Sequence, residues 1–395
     1  MAGPLKVLSR TRLTKRIAVL VGTRPSLVKM SPLIRALARR QVDFFIIHTG
    51  QHYSYELDRA FFEDLELPEP LVRLQTVQHC RLHGEQTAEM LRGVEQALIE
   101  QRPAAIVVGG DSNSNLAGAL AARKLNIQVC HDEAGLRSYD WLMPEEHNRT
   151  MIDHISEYLF APNQAAARVL KDERVRGRIF VVGTSTVDAV TQNLALARQK
   201  SRALERLSLE PRGYALMTVH HEENTDYPER LAGVMEGARR ASRVLGVPIM
   251  LPAHPRTVQR LAAFGLTPAD AREIRMVEPL GYLDMLVLLG NALLALTDSG
   301  GVTQEAAILR VPCLTLNLVT EWREVVAAGA NLICGTDPAR IEAGAIEMSR
   351  HPHDWSDPFG EPGAGERVAE IVEREVLEGQ FLPPRPQLPP EPVLQ

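Results

Sequence analysis

The chain is poor in cysteine. Its 395 residues hold four, Cys80, Cys130, Cys313 and Cys334, and no CxxC pair. That scatter excludes a disulfide frame and a cysteine-built zinc site, and it suits thiols kept reduced in the cytoplasm. No apolar run is long enough to span a bilayer, so no membrane role is expected. The first residues carry Lys6, Arg10, Arg12, Lys15 and Arg16 without a following apolar core. Residues 1–16 therefore read as a tail and not as a signal peptide. Positive charge is not in excess: 44 Lys and Arg stand against 49 Asp and Glu, a net −5, which leaves no global basic field for nucleic acid. There is no strand–GxGxxG–helix fingerprint for a nicotinamide and no clustered His/Asp set for a metal, so no cofactor and no metal are expected.

What is present is alternation. Apolar β-type runs are read at 17–22, 44–49, 105–109, 127–131, 158–161 and 179–182, with helical spacing between them. A long polar helix from about 187 to 207 follows. The alternation then restarts, with strands at 214–219, 248–252, 274–277, 293–297, 313–317 and 331–334. The fold class is α/β: two Rossmann-like, doubly wound domains facing a cleft. At 45% apolar and 24% charged residues, the chain can build both cores. The expected boundaries are 17–190 for the first domain and 191–365 for the second. Residues 366–380 form a helix packing back on the first domain, and 381–395 a Pro-rich tail.

In such sheets ligands bind beyond the carboxyl ends of the strands. The first half offers Arg24, Gln51, His52, Asp111, Glu133 and, one loop later, Glu145. The second offers His220, His221, His254, Arg256, Glu278 and Asp298 to Gly301. One half is rich in carboxylates and the other in anion binders, a division that suits a nucleotide sugar. The stretch from Thr297 to Glu305 runs from strand to helix through Ser299, Gly300 and Gly301. Free N–H groups at a helix start can take a diphosphate, and Glu305 lies one turn in, within reach of a ribose. A plain turn with Asp298 or Ser299 as N-cap is the alternative. Asp111 could likewise be the N-cap of the helix near Asn113. Glu145, or better Glu146, could serve only the helix dipole.

Ten segments in order resemble the non-hydrolysing UDP-N-acetylglucosamine 2-epimerases, among them VGTRPSLVKMSPL, GGDSNSNLAGALAA, HDEAGLRSYDWLMPEEHNR, VHHEENTDYPERL and TDSGGVTQEA. The resemblance runs from about residue 17 to 375. It implies a glycosyltransferase-B-type fold, a UDP-sugar substrate, a homodimer and no cofactor. It implies removal of the C2 proton with departure of UDP, then return of UDP with a proton on the opposite face. Asp111, Glu133 and Glu145 then match acid/base carboxylates, and His220 a catalytic histidine near the diphosphate. Arg24 and Lys29 match cations of the first loop. Ser299, Gly300 and Gly301 match the diphosphate loop, and Glu305 the ribose ligand. Two other activities use the same pieces: a hydrolysing 2-epimerase, and a UDP-sugar-binding protein without turnover.

The chain departs from that pattern in four places. Ser26 stands where the first loop has glutamate, and His221 where the histidine loop has arginine. Asn317-Leu318 replaces Arg-Asp, and the helix after the glycines lacks a second glutamate. Three of these remove charge, which leaves the identity of the UDP-sugar open.

Overall fold

The computed structural model describes residues 13–51, 61–80, 82–268, 270–320 and 322–379. They form two compact units. The first ends at Ser185 and takes up the chain again from Gly363; the second is Thr186–Pro362.

The first unit runs β1 (Ile17–Val21), α1 (Arg24–Arg39), β2 (Phe44–His48), β3 (Val72–Arg73), α2 (His83–Gln101), β4 (Ala105–Gly109), α3 (Asn113–Lys124), β5 (Gln128–Asp132), α4 (Pro144–Ile155), β6 (Tyr158–Ala161), α5 (Gln164–Asp172) and β7 (Arg178–Val181). The strands form one parallel sheet in the order β3-β2-β1-β4-β5-β6-β7. β1 and β4 are buried along their whole length, which is why they read as unbroken apolar runs. The strand missing from the sequence reading is β3, a two-residue edge pairing at half-buried Val72 and Arg73.

Helix α1 starts on a capping box, Thr23 accepting from the Ser26 N–H and Ser26 reaching back to the cap. Ser26 Oγ also accepts from the Gly22 N–H at 3.1 Å. The serine that replaces glutamate thus still closes the first loop. Pro32 inside α1 cannot donate to the Val28 carbonyl, and the Ser31 hydroxyl does so instead at 2.8 Å.

The second unit opens within α6 (Ser185–Lys200) and continues through α7 (Ala203–Arg206), β8 (Ala215–Thr218), α8 (Glu222–Thr225), α9 (Pro228–Leu245), β9 (Ile249–Pro252), α10 (Pro255–Ala263), β10 (Ile274–Val277), α11 (Tyr282–Asn291), β11 (Ala295–Thr297), α12 (Gly300–Ile308), β12 (Cys313–Thr315), α13 (Arg323–Ala327), β13 (Asn331–Ile333) and α14 (Pro338–Ser349). Its parallel sheet has the order β10-β9-β8-β11-β12-β13. Each face carries its own core. Ala215 and Met217 join α9 and α14 on one side; Leu216 joins Leu288, Leu289 and Ala306 on the other. The single helix expected over 187–207 is in fact two. Ser201 breaks it, because its hydroxyl donates to Asp284 at 2.5 Å and accepts from the Ala203 N–H at 3.2 Å.

The last helix, α15 (Ala364–Ile371), continues as a wider π-type turn to Glu378 and lies in the first unit against α1. A Cβ on Gly365 would come within 2.8 Å of the Pro32 backbone, so glycine permits the close approach. Arg40 pairs with Glu366 at 3.0 Å and Glu373 at 2.7 Å at the rim of this contact.

Candidate active site

In the first unit the carboxyl ends of β4 and β5 carry the acidic groups. Gly110 turns the chain with φ +82, and Asp111 follows. Asp111 does not cap α3: that position belongs to Ser112, whose side chain accepts from the Asn115 N–H. The Asp111 carboxylate instead meets Arg149 Nη2 at 2.5 Å, and its carbonyl takes Asn148 Nδ2 at 2.8 Å. Burial works against the Arg149 guanidinium, but Asp111 and Glu146 outweigh it and raise its pKa. Glu146 is buried and holds the loop before α4, accepting from Ser138 N–H at 2.8 Å and Tyr139 N–H at 3.1 Å. Burial pushes its carboxyl up, yet those N–H donors and Arg149 leave it below the ordinary range. Its neighbour Glu145 is exposed in the first turn of α4.

Glu133 sits at φ +65, an unusual conformation for a side-chain-bearing residue. Its carboxylate is buried, and Oε2 takes the Lys29 ammonium at 2.8 Å. Oε1 is also buried and makes no hydrogen bond. A Cβ on Gly110 would lie 3.2 Å from Oε2, so this carboxylate faces the Gly110–Asp111 turn. Burial acts against the Lys29 charge, but Glu133, Asp111 and Asp132 together raise its pKa. Lys29, Asp111 and Glu133 are therefore brought together.

Arg24 opens α1 with its guanidinium 5.6 Å from the centre of the Phe61 ring. Gln51 is tied to the frame: its Oε1 accepts from the Ser114 N–H at 3.1 Å and the Ser114 hydroxyl at 2.6 Å. His52 lies outside the described residues.

Several residues here went unread in the sequence. His131, the last residue but one of β5, is fully buried, with Nδ1 2.7 Å from Asp153 and Nε2 3.1 Å from the Gly110 carbonyl. Asp153 Oδ2 also accepts from the Gly135 N–H at 3.1 Å and from Arg137 at 2.7 Å. Asp132 is buried against the Ser185 hydroxyl. HDEAG, with three ionisable residues in a row at a strand end, hinted at His131 and Asp132 alone.

In the second unit the organising group is Asp298, fully buried at the end of β11. It caps no helix. It accepts from the His220 N–H at 2.9 Å, the His221 N–H at 3.0 Å and Asn224 Nδ2 at 3.3 Å. His220 Nδ1 lies 3.3 Å from its other oxygen. Burial lowers the His220 pKa; Asp298 opposes this, while His221 and His254 add to it. The lowered pKa favours the neutral ring at neutral pH, and Nδ1 is the nitrogen that faces Asp298. Asn317, at one of the departures, donates to the Asp298 carbonyl at 2.9 Å and accepts from Asn224 at 2.8 Å.

His220, His221 and Asp298 bring potential ligand atoms within 4.8 Å. They do not suit a metal, because the Asp298 oxygens already serve four donors. Ser299 stands at the N-cap of α12 without a side-chain cap bond, so the N–H groups at Gly300 and Gly301 have no such partner there. Glu305 is half-buried in the same helix. His254 caps α10, accepting from the Arg256 N–H at 3.3 Å. Arg256 is held by Glu222 and Asp226, both at 2.6 Å, a framework ion pair across the α8 and α10 loops. Glu278 is exposed after β10.

The model of the UDP-N-acetylglucosamine 2-epimerase family matches residues 35–373. The chain belongs to this family. Members are isomerases acting on UDP-sugars. The UDP-N-acetylglucosamine 2-epimerase of Methanocaldococcus jannaschii is 44% identical over 362 residues, covering 90% of this chain and 98% of that protein. The UDP-2,3-diacetamido-2,3-dideoxy-D-glucuronate 2-epimerase of Pseudomonas aeruginosa is 37% identical over 362 residues, 90% of this chain and 99% of its own. The crystal structure of the M. jannaschii epimerase in complex with UDP-GlcNAc and UDP superposes with a TM-score of 0.83 at 43% identity, covering 91% and 99% of the two chains. The lipopolysaccharide glycosyltransferase WaaG, 13% identical with a TM-score of 0.51, shares the fold alone. Within the epimerase family both sheets are thus Rossmann-like and glycosyltransferase-B-type.

Proposed function

We propose that this protein is a non-hydrolysing 2-epimerase interconverting UDP-N-acetylglucosamine and UDP-N-acetylmannosamine or a close analogue. A carboxylate takes the C2 proton while the C1–O bond breaks. The C–H electron pair becomes the C1=C2 double bond of a 2-acetamidoglucal, and UDP leaves with the C1–O pair. UDP then adds back to C1 as a proton reaches C2 from the other face. A C2 proton is barely acidic, so loss of the C1–O bond leads and nearby carboxylates stabilise the positive character at C1.

The observation that carries this reading is Glu133. One oxygen is fixed by Lys29; the other is buried without a hydrogen bond, and Asp111 on Arg149 stands beside it. A desolvated carboxylate with a free lone pair is what abstraction from carbon requires. Asp111, Glu133 and Glu145 form the acid/base set. Arg24 and Lys29 are the substrate-binding cations of the first unit; in the second, His220 and the uncapped start of α12 at Ser299, Gly300 and Gly301 serve the diphosphate, and Glu305 the ribose. Gln51 and Arg256 hold loops, while His254 and Glu278 flank the UDP side.

The enzyme acts as a homodimer in the cytoplasm. Four free thiols suit a reducing compartment, and sedimentation velocity tests the dimer. Among the described residues no helix is long and apolar enough to cross a membrane.

Free UDP is the discriminating product. The non-hydrolysing reaction reaches equilibrium between the two UDP-sugars with no steady accumulation of UDP. Stoichiometric UDP and free N-acetylmannosamine would make the protein a hydrolysing epimerase. Asp111→Asn is expected to bind UDP-sugar and to lose most turnover.

A further inference from the structure

The buried imidazole of His131 has two partners, and both can only accept. Nε2 lies 3.1 Å from the Gly110 carbonyl and Nδ1 lies 2.7 Å from the Asp153 carboxylate. A neutral ring has one N–H and would leave one of these contacts as two facing lone pairs. The extra proton does not reside on Asp153: its other oxygen takes the Gly135 N–H at 3.1 Å and the Arg137 guanidinium at 2.7 Å, and a guanidinium at that distance keeps the carboxylate ionised. The ring therefore carries both protons.

Its partners matter as much as its charge. Gly110 is the turn that presents Asp111, and Gly135 closes the turn that holds Glu133 at positive φ. Asp153 lies on α4, the helix that carries Glu145 and supplies Asn148 and Arg149 to Asp111. We propose that His131 is a positioning residue of the epimerase, a buried imidazolium that locks the two carboxylate-bearing turns and α4 into one register. The inference rests on the function proposed above.

The charged groups around the ring are Asp153 and Asp132, with Arg137 beyond Asp153 and Glu173 beyond Arg137. Burial opposes the imidazolium, and the carboxylates with the Gly110 carbonyl outweigh it.

The test is nitrogen-15 NMR of the imidazoles in the intact protein, with His131→Asn and His131→Gln as assignment controls. Asn replaces only the donor toward Asp153, and Gln only the donor toward Gly110. Both His131 nitrogens are expected to stay protonated from about pH 6 to 8, where an ordinary histidine loses its charge. One unprotonated nitrogen at about pH 7 would overturn the proposal. Both variants are expected to lower kcat about 100-fold, the scale of a misplaced catalytic group, with KM little changed. Folded variants with wild-type kcat would refute the role. Amide shifts at Gly110–Asp111 and Glu133–Gly135 read the positioning without turnover. Movement confined to those segments supports the proposal, and its absence in both variants overturns it. A wild-type protein that epimerises no UDP-hexosamine would instead remove the functional reading and leave the NMR result standing.

Discussion

Asp132 ends β5 next to Glu133, and the fold holds it at a cost. Its side chain is buried with one oxygen on the Ser185 hydroxyl at 2.5 Å. Burial, with Glu133 adding to it, moves its pKa from the ordinary 3.8 to about 6, although Ser185 pulls the other way. Below about pH 4 the folded and unfolded chains both hold the proton, so the group contributes nothing. Between about pH 4 and 6 the unfolded chain releases it first, and stability falls as pH rises. Above about pH 6 the penalty is complete. A shift of two units corresponds to about 3 kcal/mol as an upper figure. Asp132→Asn removes the charge and keeps an acceptor for Ser185. Its added N–H₂ costs about 1–2 kcal/mol if unpaired, so the expected net gain is about 1–2 kcal/mol at pH near 7.5. Urea unfolding of the two proteins across that range measures it. The gain should shrink as pH falls through 6 toward 4. An Asp132→Asn protein no more stable than wild type at pH near 7.5, or a gain independent of pH, would refute the reasoning.

Asp298→Ala strands the backbone N–H groups of His220 and His221. It is expected to destabilise the protein by about 2–3 kcal/mol in urea melts and to weaken UDP binding in calorimetry. Gly22→Ala would set a Cβ 2.0 Å from Ser114 Oγ and 2.4 Å from Thr49 Oγ1. Its expected cost is about 1–3 kcal/mol in a thermal melt, from overpacking at the first loop. His220 is neutral in the free protein because burial lowers its pKa. A bound diphosphate favours the imidazolium, so UDP binding should take up a proton and weaken as pH rises through neutrality. Calorimetry in buffers of different ionisation heat reads that uptake, and His220→Gln should abolish it.

The sheets were legible because parallel strands buried on both faces leave short apolar runs between helices. IAVLV and AIVVG carry that signature without ambiguity. β3 was not legible, since two half-buried residues have no periodicity. The break at Ser201 escaped notice because its partner, Asp284, is 83 residues away. The same limit governs the site. Asp111 and Glu133 stand at strand ends, where position alone marks them. Arg149, Asp153 and His131 act through contacts that only the folded chain creates. Asp298, for which a helix cap was one alternative, is an anchor for the histidine loop, because its acceptors turn toward β8 and away from α12. Ser26 read as a lost charge, yet it completes the capping box of α1.

The central claim is reversible proton exchange at C2 without loss of UDP. It is tested most directly by proton NMR of UDP-N-acetylglucosamine incubated with the purified protein in deuterated water. The account predicts deuterium at C2 in both the gluco and manno UDP-sugars as the mixture approaches equilibrium, and no build-up of UDP. Free N-acetylmannosamine with stoichiometric UDP, or a C2 proton that never exchanges, would contradict it.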